Sequence, residues 1–268
     1  DTDSQDYLTK LFADDIDGAE LVTNNSRWGS FRTRRSSRWH DGTVVLLGDA
    51  VHTAHFSVGS GTKMAMEDAV VLAQEVAATP DDLAGALDRY EETRQPSVAR
   101  IQDAAGPSLA WWERFGAYQR ELDPLTFAFH FFSRSIDVEK IAERDPDLVA
   151  AVRDVWAAEH GAPPLATPLE VDGRRFDGRR LELADVTAPL VTAPPDEDGL
   201  AAAAEALPAS GLVAVHGGTS LTRVLLCEEA RLRRGLVAVL VDDLDDAAAE
   251  TVLLAGRADA VASPEEAR

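Results

Sequence analysis

A single cysteine, Cys227, is all the thiol this 268-residue chain has. One thiol cannot close an internal disulfide, which excludes a stapled extracellular scaffold. Lysine is nearly as scarce: Lys10, Lys63 and Lys140 are the only three among 26 basic residues, set against 47 acidic ones. The resulting net charge of −21 opposes binding to nucleic acid or to an anionic membrane surface. No apolar run approaches the roughly 20 residues of a membrane span. The opening DTDSQDYLTK has neither the basic nor the apolar region of a secretion signal, so the expectation is a cytoplasmic protein. His52 and His55 have three-residue spacing but no third ligand nearby, so no metal site is expected. No Ser-His-Asp set or glycosidase-type carboxylate pair can be placed either, and no catalytic residue is assigned.

What is there is ordinary globular material, 45% hydrophobic and 27% charged. Tyr7, Leu8, Leu11 and Phe12 have helical spacing. Residues 26–40 (SRWGSFRTRRSSRWH) read as extended, and TVVLL (43–47) as a short buried strand between Asp41-Gly42 and Gly48. A helix follows from Thr62 to Thr79-Pro80, with Met66, Val70, Ala73 and Ala77 on one face. Residues 81–120 read as helix interrupted at Pro96 and at Gly106-Pro107, followed by the aromatic DPLTFAFHFFSRS and a helix over roughly 146–158. Composition then shifts at HGAPPLATP (160–168). Beyond it APLVTA, GLVAVHGG, GLVAVLVDD and DAVA alternate with helices near 197–206, 220–234 and 245–255. That rhythm predicts a parallel βα sheet and a domain division of 1–161 and 162–268.

The run LLGDAVHTAHFSVGSGTKMAMEDA (46–69) concentrates the chemistry. Asp49, after an apolar strand, offers a carboxylate to ribose-like or ribityl hydroxyls. Gly59 and Gly61 let backbone approach a ligand without a Cβ in the way. A helix starting near Thr62 points free N–H groups and its positive end at the same place. An isolated G-x-G is usually only a tight turn. The order strand, Gly-Asp, loop, Gly-Ser-Gly, helix with Glu67-Asp68-Ala69 is far more specific.

That order resembles the second FAD-binding motif of the class A flavoprotein aromatic hydroxylases. HTAHFSVGSGTKMAMEDA, LVTNNSRWGSFRTRRSSRWHDGTVVLLGDA and DPLTFAFHFFSRS are similar to one branch, the salicylyl-CoA 5-hydroxylase and anthraniloyl-CoA monooxygenase type. The resemblance spans roughly residues 12–158. It implies an α/β fold: a helix-rich part of a p-hydroxybenzoate hydroxylase-like FAD-binding domain. It implies FAD as cofactor, NAD(P)H as co-substrate, and oxygen transfer from O2 to a phenolic or aminobenzoyl ring carried as a CoA or carrier thioester. Asp49 would hold the ribityl chain, after Gly48; Gly59, Ser60, Gly61, Thr62 and Lys63 would line the isoalloxazine with backbone amides.

The family's pyrophosphate motif G-x-G-x-x-G is not among these residues. The alternative expectation is therefore a fragment or non-catalytic subunit that pairs, as a homodimer or with a missing N-terminal segment. Residues 225–262 resemble the last units of an Old Yellow Enzyme-type barrel, shortened to a degenerate, partial-barrel βα domain. There VDDLDD stands where the family has a glycine-rich phosphate turn, so FMN binding is not expected. Among other candidates, Arg32, Arg34 and Arg35, with Arg27 and Arg38, read either as a solvated face or as an anion site for CoA or NAD(P)H phosphates. HGGTS (216–220) reads as a strand-to-helix turn. The aromatics of 111–132 read as helix packing, and Cys227 as a buried small residue.

Overall fold

The computed structural model describes residues 2–23 and 29–264. By packing they form two units, the first from 1–55 and 61–91, the second from 56–60 and 92–268. This grouping differs from a division at 161/162, because the helices of 92–160 share hydrophobic clusters with the βα segment that follows.

Unit one begins with α1 (Thr2–Leu11) and α2 (Ala13–Ile16), where Asp17 turns the chain at φ 45°. The helix expected around Tyr7 is there, but Tyr7, Leu11 and Phe12 are exposed. Strand β1 (Arg34–Arg35) pairs antiparallel with β4 (His52–Thr53), and β2 (His40–Asp41) pairs antiparallel with β3 (Val44–Val45) across Gly42 at φ +58°. The buried strand expected at 43–47 is thus corrected to a two-residue hairpin arm. Val44 is 64% exposed, on a hairpin whose two strands pair only with each other among the described residues. After the Gly48–Ala50 turn comes α3 (Gly61–Ala78), then the start of α4 (Leu83–Glu113). The buried face of α3 is also corrected. Met64 and Asp68 are buried, whereas Met66 and Val70 are exposed, since the helix spends its inward face on a polar contact. Trp39 anchors the core of this unit, with its ring 5.0 Å from His52 and 5.6 Å from Tyr90.

The helix α4 runs unbroken through Pro96 and Pro107, where the sequence predicts interruptions. Each proline removes one N–H donor, a cost that a 31-residue amphipathic helix packed along its length can absorb. Unit two continues with α5 (Phe115–Glu121), α6 (Pro124–Phe132), α7 (Val138–Ala142) and α8 (Pro146–His160). Two Asp-Pro pairs start helices here by the same device. Asp123 and Asp145 accept N–H bonds from the first turn, and Pro124 and Pro146 occupy the first helical position, where no donor is needed.

A hairpin of β5 (Leu169–Val171) and β6 (Arg174–Phe176) precedes β7 (Arg180–Glu182). Then β8 (Leu190–Thr192), α9 (Leu200–Glu205), β9 (Leu212–His216), α10 (Ser220–Glu228), β10 (Val237–Val241), α11 (Asp246–Leu254) and β11 (Ala260–Ser263) alternate as the sequence predicts. Helix α10 continues as a π-turn over Glu229–Arg233. The five strands pair in parallel in the order β7-β11-β10-β9-β8. Alternation decides the two faces. Val213, Val215, Ala238, Leu240 and Val261 pack with α10 and α11 residues such as Leu226 and Val252. Leu212, Ala214, Val239, Val241 and Ala260 pack on the other side with Leu169 and Phe176 of the hairpin. Burial also raises the pKa of the Cys227 thiol, which makes it an inert packing atom on the helical face. No helix among the described residues is long and apolar enough to cross a membrane.

Candidate functional site

The Gly-Asp turn is held from beneath by one buried carboxylate. Asp68, on the inward face of α3 and fully buried, accepts the Gly48 N–H at 3.0 Å and the His52 ring at 2.6 Å, both on Oδ2. An ionised carboxylate only accepts, so the His52 proton sits on Nε2. Its Nδ1 is then a buried acceptor with no partner among the described residues. Gly48 has φ +58°, and a Cβ built on it would lie 3.0 Å from the Cβ of Ala65 on α3. Only glycine allows both the turn and this close approach. We expect Gly48→Ala to cost about 2 kcal/mol in urea denaturation.

Locked in this way, the turn leaves Asp49 exposed. Among the described residues its carboxylate has no hydrogen-bond or ion-pair partner. Gly59 turns at φ +64°, and no atom lies within 4 Å of a Cβ built at Gly59 or Gly61. The Ser60 hydroxyl is shielded from solvent and has no partner among the described residues. Helix α3 starts at Gly61, so the amides of Gly61, Thr62 and Lys63 have no intrahelical acceptor. The Lys63 ammonium is exposed and 3.5 Å from Glu67. Within unit one, the free carboxylate and the helix N-terminus are groups a flavin can use: an acceptor for its ribityl hydroxyls and N–H donors for a ring edge that becomes anionic on reduction.

Of the arginines, Arg34 and Arg35 lie on β1 opposite Thr53 and His52 and are exposed, as is Arg32, whose carbonyl accepts the Thr53 hydroxyl at 2.7 Å. Arg38 pairs with Asp41 at 3.2 Å, and Arg27 and Trp28 lie outside the described residues. His55 packs edge-on against Phe31 at 5.5 Å. Three of the four carboxylates of VDDLDD have structural work: Asp242 pairs with Arg223 at 2.7 Å, Asp245 caps α11, and Asp246 pairs with Arg180 at 2.8 Å.

A second polar cluster, in unit two, has no counterpart in the sequence reading. Glu228, at the end of α10, is 4% exposed. It accepts the Tyr118 hydroxyl at 2.5 Å and His130 Nε2 at 3.0 Å, with Arg257 Nε at 3.5 Å. The Trp111 indole N–H donates to His130 Nδ1 at 2.8 Å, which requires a lone pair there and so a neutral imidazole. Burial and the Arg257 charge accordingly depress the His130 pKa. Burial pushes Glu228 upward, but His130, Arg257 and Tyr118 outweigh it and hold the carboxyl below its ordinary value. Burial and Glu228 together raise Tyr118. Nothing local in the sequence marks this cluster, because Glu228 sits in LTRVLLCEEA beside a second glutamate and an arginine.

Comparison with known proteins bears on the same stretch. Residues 4–105, which include the Gly-Asp turn, the Gly-Ser-Gly loop and α3, match the model of the FAD binding domain.

Among particular proteins, the chain is 47% identical to a salicyloyl-CoA 5-hydroxylase of a Streptomyces species over 288 aligned positions, covering 97% of this chain and 56% of that protein. It is 45% identical to a 3-hydroxy-4-methyl-anthranilyl-[aryl-carrier protein] 5-monooxygenase of Streptosporangium sibiricum over 40% of this chain and 30% of that protein. A protodeoxyviolaceinate monooxygenase of Chromobacterium violaceum is 39% identical over 41% of this chain and 30% of its own length. The chain thus spans about half the length of the first of these relatives and less of the others.

Proposed function

We propose that this protein works in an FAD-dependent aromatic hydroxylase that uses NAD(P)H and O2. The substrate would be a phenolic or aminobenzoyl ring carried as a CoA or carrier-protein thioester. The observation that carries the reading is the glycine turn, locked by Asp68 and packed on Ala65 of α3, which leaves the Asp49 carboxylate exposed. The two most similar relatives named above, each specified by an aromatic acyl thioester, support the substrate class. When bound, FAD would supply hydride acceptance from NAD(P)H and oxygen activation. Asp49 would accept the ribityl hydroxyls. The loop at Gly59 and Ser60 and the amides of Gly61, Thr62 and Lys63 would line the ring and stabilise its negative charge. Arg32, Arg34 and Arg35 would receive the phosphates of the thioester or of NAD(P)H. The pyrophosphate of FAD has no glycine-rich motif among these 268 residues, and we assign that contact to residues outside them.

For residues 162–268 the reading is a partial-barrel βα segment. Its support is the singly wound order, in which β8, β9, β10 and β11 are consecutive neighbours with α10 and α11 on one face. Its likeness to the end of an Old Yellow Enzyme barrel rests on the sequence resemblance alone.

Titrating FAD into the purified chain, followed by flavin fluorescence, tests the site. Saturable binding is expected. Asp49→Ala should weaken it about tenfold, the worth of a charge-assisted hydrogen bond, while His55→Ala leaves it nearly unchanged. Equal, negligible effects of both would remove the site assignment. NAD(P)H oxidation dependent on an aryl-CoA then tests the reaction.

A further inference from the structure

A cavity of about 370 Å3 opens among α4, α6, α7, α10 and α11 of unit two. None of its lining residues lies within 4–105, the stretch that matches the FAD binding domain. The rings of Trp111, Tyr118 and His130 close it at one side. They are buried and packed on one another, with centres 4.3 to 6.5 Å apart, and so present no face to a ligand. The surface that stays open is aliphatic. Pro107, Ile136, Leu221, Val224 and Ala248 line the cavity and are each only half-buried. Half-buried aliphatic groups around a hollow are apolar area that a ligand's chain can still cover.

The charges around it do not balance. Two carboxylates face the cavity, Asp137 and Glu228, against three cations, Arg134, Lys140 and Arg257. Lys140 is spent on Asp137 at 2.9 Å, and Arg257 on Glu228. His130 is neutral, as its bond from Trp111 requires. Arg134 is left over. Its Nε donates to the Ser108 hydroxyl at 3.1 Å, its Nη1 to the Phe131 carbonyl at 2.6 Å, and its guanidinium lies 4.0 Å from the Phe131 ring centre. These contacts fix the plane of the guanidinium without neutralising it, since every partner is uncharged. Its Nη2 has no partner among the described residues and keeps access to solvent. Burial and the neighbouring Arg257 charge depress the Arg134 pKa, as expected of a cation without a counterion. In a chain of net charge −21, a half-buried arginine with no carboxylate in reach, held still with one amine open, is set to receive an anion.

We propose that this cavity binds a small aliphatic carboxylate, with its chain against Ile136, Leu221 and Val224 and its carboxylate on Arg134 Nη2. A single negative charge cancels the one left over, and a carboxylate oxygen supplies the acceptor that Nη2 lacks. A phosphorylated ligand would bring more charge than this cavity can match. An uncharged alkyl ligand would cover the aliphatic wall and shut Arg134 away from water with no anion beside it. A planar ring would need an open flat face to stack on, and the three rings that border the cavity offer none.

The test is calorimetric titration of the whole chain with hexanoate, hexanamide, butyrate and benzoate. Hexanoate should bind saturably, and hexanamide about tenfold more weakly, since it lacks the charge. Butyrate should also bind about tenfold more weakly, because it buries two methylenes fewer. Benzoate, with the same charge on a flat ring, should bind more weakly than hexanoate. Arg134→Gln should abolish the preference for hexanoate over hexanamide, and Arg134→Lys should restore part of it. Val224→Phe, which narrows the cavity and leaves Arg134 in place, should lose hexanoate as well; this variant carries the test if Arg134→Gln does not fold. Absence of saturable hexanoate binding, or hexanamide, butyrate or benzoate binding as tightly as hexanoate, would overturn the proposal. So would unchanged hexanoate binding in a folded Arg134→Gln or Val224→Phe variant.

Discussion

Glu228→Ala is expected to cost about 4 kcal/mol of folding stability, lowering the melting temperature of the chain by about 10 °C. The alanine removes the acceptor of the Tyr118 hydroxyl and of His130 Nε2, and it strands the Arg257 guanidinium at 7% exposure without its counterion. An uncompensated buried charge is costlier than the lost pair was worth, which makes truncation the severe test. Glu228→Gln keeps the shape and one acceptor, so its loss should fall in between. The same cluster sets an acid limit. His130 has a depressed pKa in the fold, so below the ordinary value of 6.5 the unfolded chain takes up the proton that the folded one refuses. Its stabilisation is complete above that value and declines as pH falls toward the folded pKa. Glu228, also depressed, adds a second loss below its ordinary 4.5. Urea denaturation well above and well below pH 6.5 should show stability falling with acid. A loss below about 1 kcal/mol in Glu228→Ala would show that water takes over the three donors.

Asp68→Ala is the second large effect, at about 3 kcal/mol. It leaves the Gly48 N–H and His52 Nε2 as buried donors without acceptors, in a place where His52 Nδ1 already lacks a partner among the described residues. The contrast with Asp49 is the useful part. Asp49 is exposed and has no partner among the described residues, so Asp49→Ala should change stability by less than about 0.5 kcal/mol while weakening flavin. Two carboxylates nineteen positions apart in one motif then separate cleanly: removing one unfolds the turn, and removing the other empties it. If Asp68→Ala were as stable as the parent chain, the lock beneath the Gly-Asp turn would be dispensable.

How far the sequence reaches depends on what kind of signal an element leaves. Strands β8 to β11 are short apolar runs of three to five residues, and with their helices they were legible nearly in full. The helix expected over roughly 146–158 is present as α8 (Pro146–His160), whereas the start of α6 at Asp123-Pro124 was not read as one. Hydropathy misled where polarity was buried. On α3 the stripe of Met66 and Val70 pointed inward by periodicity, but the contact to His52 and Gly48 turned Asp68 inward instead. The prolines of α4 suggested breaks, yet packing along a long helix overrides two missing donors. The Gly-Asp turn, the Gly-Ser-Gly loop and the start of α3 were visible as a motif. The mechanism that holds the turn was not, because a buried aspartate looks like any surface carboxylate in sequence. The Glu228 cluster joins residues about 100 positions apart, and nothing local in the chain announces it.

The outermost strand of the sheet has a bearing on how this chain is made. Among the described residues β7 has one sheet neighbour, β11, with Arg180 opposite Val261. During synthesis β7 therefore leaves the ribosome long before the segment that completes it. In that interval β8, β9 and β10 can zip together in order, while Leu181 waits for a strand not yet translated. Pairings that close so late are slow and leave apolar edges open to neighbours. A stalled chain that lacked residues 260–263 would display two unsatisfied sheet edges at once, one on β10 and one on β7.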